Sequence, residues 1–209
     1  NLMTITEAFT AETITEQRIA KTIDPSLLKP ALTVDAVLAG CELAATYDVA
    51  SVCCRPTDVE RCRDALAGTN VLVSTVIGFP HGSNLTATKV FEAQRAVAQG
   101  AVELDMVLQI GLLRSGLVEA VRDDIAAVVD AAGDAAIVKV ILENVFLTDD
   151  EKVAGCRAAE EAGAAYVKTS TGYASGGATL DDLRLMRATV SPHIKVKAAG
   201  GVRTLDALI

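Results

Sequence analysis

The sequence predicts an α/β protein, a (β/α)8 TIM barrel in which parallel strands are covered by helices. Three observations predict it. Short β-branched runs alternate with Ala-rich, helix-like segments, and strict alternation of this kind calls for a parallel sheet with helices packed on it. The alternation recurs with a step of about thirty residues, the size of one βα unit. No GxGxxG follows the first strand, which removes support for a dinucleotide-binding sheet. A chain of 209 residues suits one such barrel.

Residues 1–18 carry TITE twice, at 4–7 and 13–16. They are expected to form an N-terminal helical extension that packs on a single barrel domain spanning residues 19–209. Strands are expected at Ala20–Ile23, Ala50–Cys53, Val71–Val76, Val102–Leu108, Ile137–Leu142, Ala164–Thr169 and Ile194–Ala198. Between them, Thr57/Glu60, Thr148/Glu151 and Thr179/Asp182 have the spacing of capping boxes, in which a hydroxyl and an acid three residues on satisfy free helix N–H groups. The helix after the fourth strand shows a buried stripe at Leu117, Val121, Ile125 and Val128. The same step would place an eighth strand at about residue 225, beyond Ile209. The eighth strand is therefore expected to be missing from the given chain, which also begins at Asn1 rather than Met. A seven-stranded open barrel would leave bare strand edges.

Composition narrows the function. Hydrophobic residues make up 51% of the chain, enough for a substantial core and far from a disordered composition. The net charge is −8 and no Lys/Arg-rich run is present, which disfavours nucleic acid or an anionic membrane as partner. One basic pocket could still hold a phosphorylated small molecule. No apolar stretch reaches the length of a bilayer span and no signal-peptide pattern opens the chain, so a soluble, cytoplasmic protein is expected. Five scattered cysteines, Cys41, Cys53, Cys54, Cys62 and Cys156, form no CxxC pair and suit a reduced core. With only His81 and His193, a His-rich zinc site is disfavoured.

Strand parity points to chemistry. In a barrel covered by helices, side chains alternate between the helices and the barrel interior. With Val102, Leu104, Met106 and Leu108 facing the helices, Glu103 and Asp105 face inward. By the same parity Lys139, then Lys168 and Ser170, then Lys195 and Lys197 face inward from the next three strands. Asp105, Lys168 and Lys197 lie towards the C-terminal strand ends, where barrel active sites form, and Lys139 lies deeper. Such charges are costly to bury unless paired or used. One use is a structural ion-pair network of Asp105 and Glu103 with Lys139 and Lys168. The other is covalent catalysis, in which a neutral Lys amine attacks a carbonyl and the iminium acts as an electron sink for making or breaking a C–C bond. Lys197 would supply the neighbouring cation that lowers the amine's pKa, and Asp105 would shuttle protons through a bound water. No metal or organic cofactor is required. Gly172 after Lys168, and Gly200 and Gly201 after Lys197, mark turns whose backbone N–H groups could hold a phosphate.

These residues resemble a known family. VKTSTGY (167–173) is similar to the Schiff-base motif of the deoxyribose-phosphate aldolases, VKAAGGVRT (196–204) to their second-lysine segment, and ELDMVLQIG (103–111) to their aspartate strand. IDPSLLKP (23–30), STVIGFPHG (74–82) and VKVILE (138–143) support the match, which runs from about Ile19 to the end of the chain. The resemblance implies a class I aldolase in which Lys168 forms the imine, Lys197 perturbs its pKa and Asp105 gives and takes protons. Gly172, Gly200 and Gly201 would line the phosphate site. The implied reaction is reversible cleavage of 2-deoxy-D-ribose 5-phosphate to D-glyceraldehyde 3-phosphate and acetaldehyde, in deoxyribonucleotide breakdown. Family habit implies a homo-oligomer, and a dimer is expected.

Several positions depart from the family pattern or invite a second role. Pro25-Ser26 stands where His-Thr is usual, and Cys54-Arg55 where other residues are common. Cys53 either faces the substrate or packs as a core thiol, Tyr173 either borders the phosphate or covers a helix start, and His81 reads as a loop residue. Two alternatives keep the fold: another Schiff-base lysine barrel, either an aldolase for a different aldehyde or a dehydratase, and a non-catalytic barrel that binds sugar phosphates.

Overall fold

The computed structural model describes residues 14–202 and residue 204. Among them, seven parallel strands form one curled sheet in sequence order. The strands are β1 (Ser26–Leu27), β2 (Ser51–Cys54), β3 (Leu72–Ile77), β4 (Glu103–Val107), β5 (Ile137–Ile141), β6 (Tyr166–Lys168) and β7 (Lys195–Lys197). The helices are α1 (Glu16–Ala20), α2 (Val34–Thr46), α3 (Val59–Ala65), α4 (Thr86–Gln99), α5 (Ile110–Arg114), α6 (Val118–Ala132), α7 (Asp149–Glu161) and α8 (Leu180–Thr189). This is the predicted βα succession. The expected eighth strand lies outside the described residues, as do residues 1–13 of the expected N-terminal extension.

The helices pack where their apolar stripes meet the sheet. Val121, Ile125 and Val128 of α6 are fully buried, each removing about 1.5–3 kcal/mol worth of apolar surface from water. They meet a sheet face built by Leu104, Met106, Val138, Val140 and Val167, also buried. Leu117 departs from the expected stripe. It is 52% exposed, because the short helix α5 intervenes and leaves Leu117 at the N-cap of α6, outside the helical repeat.

Local signals fared unevenly. Thr148 and Glu151 form a complete capping box at the start of α7, and the Thr179 hydroxyl accepts the Asp182 N–H at the start of α8. Thr57 and Glu60 make no box. Pro56, with its φ already helical, opens a 3-10 turn over Pro56–Asp58, so α3 starts at Val59 with no side-chain cap. The first strand is also displaced from Ala20–Ile23. Thr15 caps α1 through the Arg18 N–H, which carries helix to Ala20, and extended pairing begins only at Ile23, whose carbonyl accepts the Ala50 N–H.

Register fixes which side chains look into the barrel. Ser26, Cys53, Ser74 and Glu103 are aligned across β1 to β4, and Val76, Asp105, Lys139, Tyr166 and Lys195 across β3 to β7. Aligned residues of a parallel sheet share a face, so all of these belong to the interior set.

Candidate active site

Two linked charge clusters occupy the interior. Asp105, with no exposed side-chain area, forms an ion pair with the Lys168 ammonium two strands away. Lys139 sits on the next strand, directly opposite Asp105 in register. Its ammonium donates to Glu103 at 2.7 Å and to Asp24 at 3.0 Å, and lies 3.9 Å from the second Asp105 oxygen. Asp24 is shared, because Lys197 reaches the same carboxylate oxygen at 2.6 Å and also donates to the Thr22 carbonyl at 3.0 Å. The chain of charge therefore runs Lys168–Asp105–Lys139–Asp24–Lys197, with Glu103 as a second anion for Lys139. It bridges the segment before β1 to β7 across the barrel interior.

The electrostatics follow from that order. Burial pulls the Lys168 amine down, but the Asp105 carboxylate outweighs it and holds the ammonium above the ordinary lysine value. Burial likewise opposes the charge on Lys139, and Asp105, Asp24 and Glu103 together push its pKa up. At Asp24 burial would raise the carboxyl pKa, but Lys197 and then Lys139 draw it below the usual carboxylate range. The group nearest the Lys168 nitrogen in the free protein is thus an anion, and Lys197 is neutralised by Asp24. Oδ1 of Asp105 is buried without a hydrogen-bond partner, an acceptor left over inside the site.

Asp24 escaped the sequence reading. In the sequence its segment stands out only at Pro25 and Ser26, and a strand expected at Ala20–Ile23 leaves Asp24 in a loop. With β1 at Ser26–Leu27, parity puts Asp24 on the inward face beside Ser26. The signal was the strand boundary.

Cys53 lies on the inward face of β2, 3% exposed, and burial followed by the Asp105 charge pushes its thiol up to about 12. It is a protonated thiol in the wall of the site. Lys195 shares the inward parity but is exposed at the other end of β7, with its ammonium 5.2 Å from the centroid of the Tyr166 ring. His81 is an exposed turn residue. Arg55, singled out for its unusual position, donates to the carbonyls of Pro30 and Leu32 at 3.2 and 3.1 Å and pins the β1–α2 loop.

The loops after β6 and β7 form the rim. Thr169 donates its hydroxyl to the Ala199 carbonyl at 3.0 Å and accepts the Ala199 N–H at 3.0 Å, and the Ala178 N–H bonds back to Ala199 and Gly200. A Cβ on Gly177 would come within 2.4 Å of the Gly200 carbonyl oxygen, so the two loops pass too closely for any other residue there. Gly172 and Gly200 face each other across this rim, and Gly201 is exposed beside them with open space around its Cα. Tyr173, next to Gly172 and half exposed, packs its ring edge-on to Phe79 at 5.2 Å. Among the described residues no three His, Cys, Asp or Glu side chains are grouped to hold a metal ion, and no helix is long and apolar enough to cross a membrane.

A lysine ammonium gripped by an interior carboxylate, at the C-terminal end of a barrel strand and below two glycine-lined loops, suits covalent carbonyl chemistry on an anionic substrate. Comparison with known proteins agrees. The sequence model of the DeoC/LacD family aldolases matches residues 12–208. A deoxyribose-phosphate aldolase of Lysinibacillus sphaericus is 51% identical over 191 residues, 91% of this chain and 86% of the relative. One from Bacillus cytotoxicus is 52% identical over 188 residues, 90% and 84% of the two chains. Among solved structures, the tetrameric deoxyribose phosphate aldolase of Aeropyrum pernix superposes with a TM-score of 0.85 at 31% identity, covering 93% of this chain and 82% of that one.

Proposed function

From the premise that this chain belongs to the DeoC/LacD family of aldolases, we propose that it is a deoxyribose-phosphate aldolase acting through a Schiff base on Lys168. The observation that carries the proposal is the Lys168–Asp105 ion pair at the mouth of the barrel. The neutral Lys168 amine attacks C1 of the open-chain sugar phosphate, and loss of water gives an iminium. The positive charge stays where the ammonium was, so Asp105 stabilises iminium and ammonium alike and disfavours the uncharged carbinolamine between them. Removal of the C3 hydroxyl proton breaks the C2–C3 bond. Its electrons pass into the iminium, releasing D-glyceraldehyde 3-phosphate and leaving an enamine. Protonation of the enamine at C2 and addition of water return Lys168 and give acetaldehyde.

Asp105 has an unpartnered oxygen available to hold the water or proton that these steps exchange. Lys139, pinned by Glu103 and Asp24, sets its ammonium 3.9 Å from that oxygen, and the Lys197–Asp24 pair fixes another ammonium on the strand next to Lys168. Before the first attack Lys168 must lose a proton that Asp105 helps to hold. In this reading Lys197 lowers the Lys168 pKa only once substrate has displaced its pairing with Asp24. Gly172, Gly200 and Gly201 offer backbone N–H groups to the 5-phosphate. The chemistry needs no metal or organic cofactor. A cytoplasmic homo-oligomer fits the tetrameric relative and the outward-facing Leu43 and Tyr47, which are 59% and 65% exposed in one chain.

Borohydride reduction in the presence of deoxyribose 5-phosphate, followed by peptide mass mapping, tests the proposal. A reduced adduct on Lys168 that disappears in Lys168→Ala is expected. A folded protein that cleaves the substrate without any trapped lysine, or traps it elsewhere, overturns it.

A further inference from the structure

We propose that Glu143 is a positioning residue that holds the loop between β6 and α8 in the shape that receives the substrate phosphate. This deepens the aldolase reading and rests on it. Glu143 follows β5 at its C-terminal end, and two costs coincide there. Its backbone lies at φ +57°, ψ +64°, a left-handed conformation that side chains other than glycine seldom adopt. Its carboxyl group is also buried, 2% exposed. A buried carboxyl group is kept only where hydrogen bonds replace its hydration, and an outlying backbone persists only where the surroundings over-determine it.

Thr171 supplies those bonds. Both Glu143 oxygens lie 3.3 Å from the Thr171 N–H, and Oε2 accepts the Thr171 hydroxyl proton. The same hydroxyl oxygen accepts the Tyr173 N–H at 3.0 Å. One carboxylate therefore fixes the residues on both sides of Gly172. The neighbouring backbone tracks the same loop, with the Leu142 N–H donating to Lys168 and the Asn144 N–H to Thr169, both at 2.9 Å. A negative charge beside a phosphate would repel it if the two met directly. Here both oxygens are occupied by Thr171, so Glu143 acts through the loop and not on the substrate.

The test compares deoxyribose 5-phosphate with unphosphorylated 2-deoxyribose in the full chain. For Glu143→Ala, the ratio of kcat/KM between the two sugars is expected to fall about tenfold or more, the loss of a charge-assisted hydrogen bond. The fall should come through KM for the phosphorylated sugar, with a smaller loss on the unphosphorylated one. Glu143→Gln keeps an acceptor for the Thr171 hydroxyl and should recover most of the ratio. If Glu143→Ala does not accumulate folded, Glu143→Asp keeps the charge but is one methylene short of Thr171, and should lower the ratio in the same direction. An unchanged ratio in the folded variant, or equal losses on both sugars, overturns the role of Glu143 and leaves the phosphate site standing. A wild-type protein that does not prefer the phosphorylated sugar overturns both.

Discussion

Asp24→Asn removes one charge and almost no volume from the centre of the ion network, so its effect can be worked out from the geometry. The Asp24 side chain is 5% exposed and holds two ammoniums on one oxygen, Lys197 at 2.6 Å and Lys139 at 3.0 Å. Breaking a buried ion pair by removing one partner costs about 3–5 kcal/mol, because the other charge is left uncompensated. Lys139 keeps Glu103 at 2.7 Å, and the Lys197 side chain is 18% exposed and keeps the Thr22 carbonyl. Both facts place the expected loss at the lower end, about 3 kcal/mol at neutral pH. For a domain of this size that is about 6–12 °C in Tm.

The pH dependence has a definite sign. The folded pKa of Asp24 lies below its ordinary value, so its contribution is fully present above about pH 4 and is lost as pH falls through the lowered folded value. Urea denaturation of wild type and variant from pH 7 downwards should therefore show a gap that is constant to about pH 4 and then narrows. Asp24→Asn combined with Lys197→Met should recover part of the loss, since the stranded ammonium is gone. A gap below about 1 kcal/mol at pH 7, or one that widens on acidification, would refute the account of Asp24 as the shared anion.

Three further outcomes follow from the same structure. Asp105→Asn removes the carboxylate that outweighs burial at Lys168, so the pH midpoint for trapping acetaldehyde on Lys168 with cyanoborohydride should move down by about one unit or more; an unmoved or higher midpoint contradicts this. Thr148→Ala dismantles the capping box of α7 at an exposed site and should cost about 1 kcal/mol in chemical denaturation, with the fold and activity intact. All five cysteines are buried, with Cys53, Cys62 and Cys156 pushed up to about 12, the first and last chiefly by burial. Ellman's reagent should therefore label them slowly in the native protein and fully in urea, whereas fast native labelling of any one would show a thiol far more accessible than its packing allows.

Much of this architecture is legible in the chain. The six later strands each fall within a residue or two of the β-branched runs that mark them, because a strand covered on its outer face by helices must present apolar residues at every second position. The same alternation marks Asp105, Lys139, Lys168 and Lys197 as interior before any contact is known, and the structure gathers all four into one linked network. Where parity had to start from a wrong boundary it failed. Ala20–Ile23 has strand-like composition, but the Thr15 cap commits its first residue to helix, and the shift concealed Asp24.

Short-range chemistry thus determined the order of elements, the face each side chain takes and the set of charges that must meet. Partner choice was decided by tertiary structure. Lys197 pairs with an aspartate 173 positions earlier in the chain, and Glu143 reaches a loop 28 residues later, distances over which no periodicity carries information. The sign of the electrostatic effect at Lys168 belongs to the same category. It depends on whether a carboxylate or an ammonium stands nearest the amine, and only closure of the sheet into a curved wall brings Asp105 there, from two strands away.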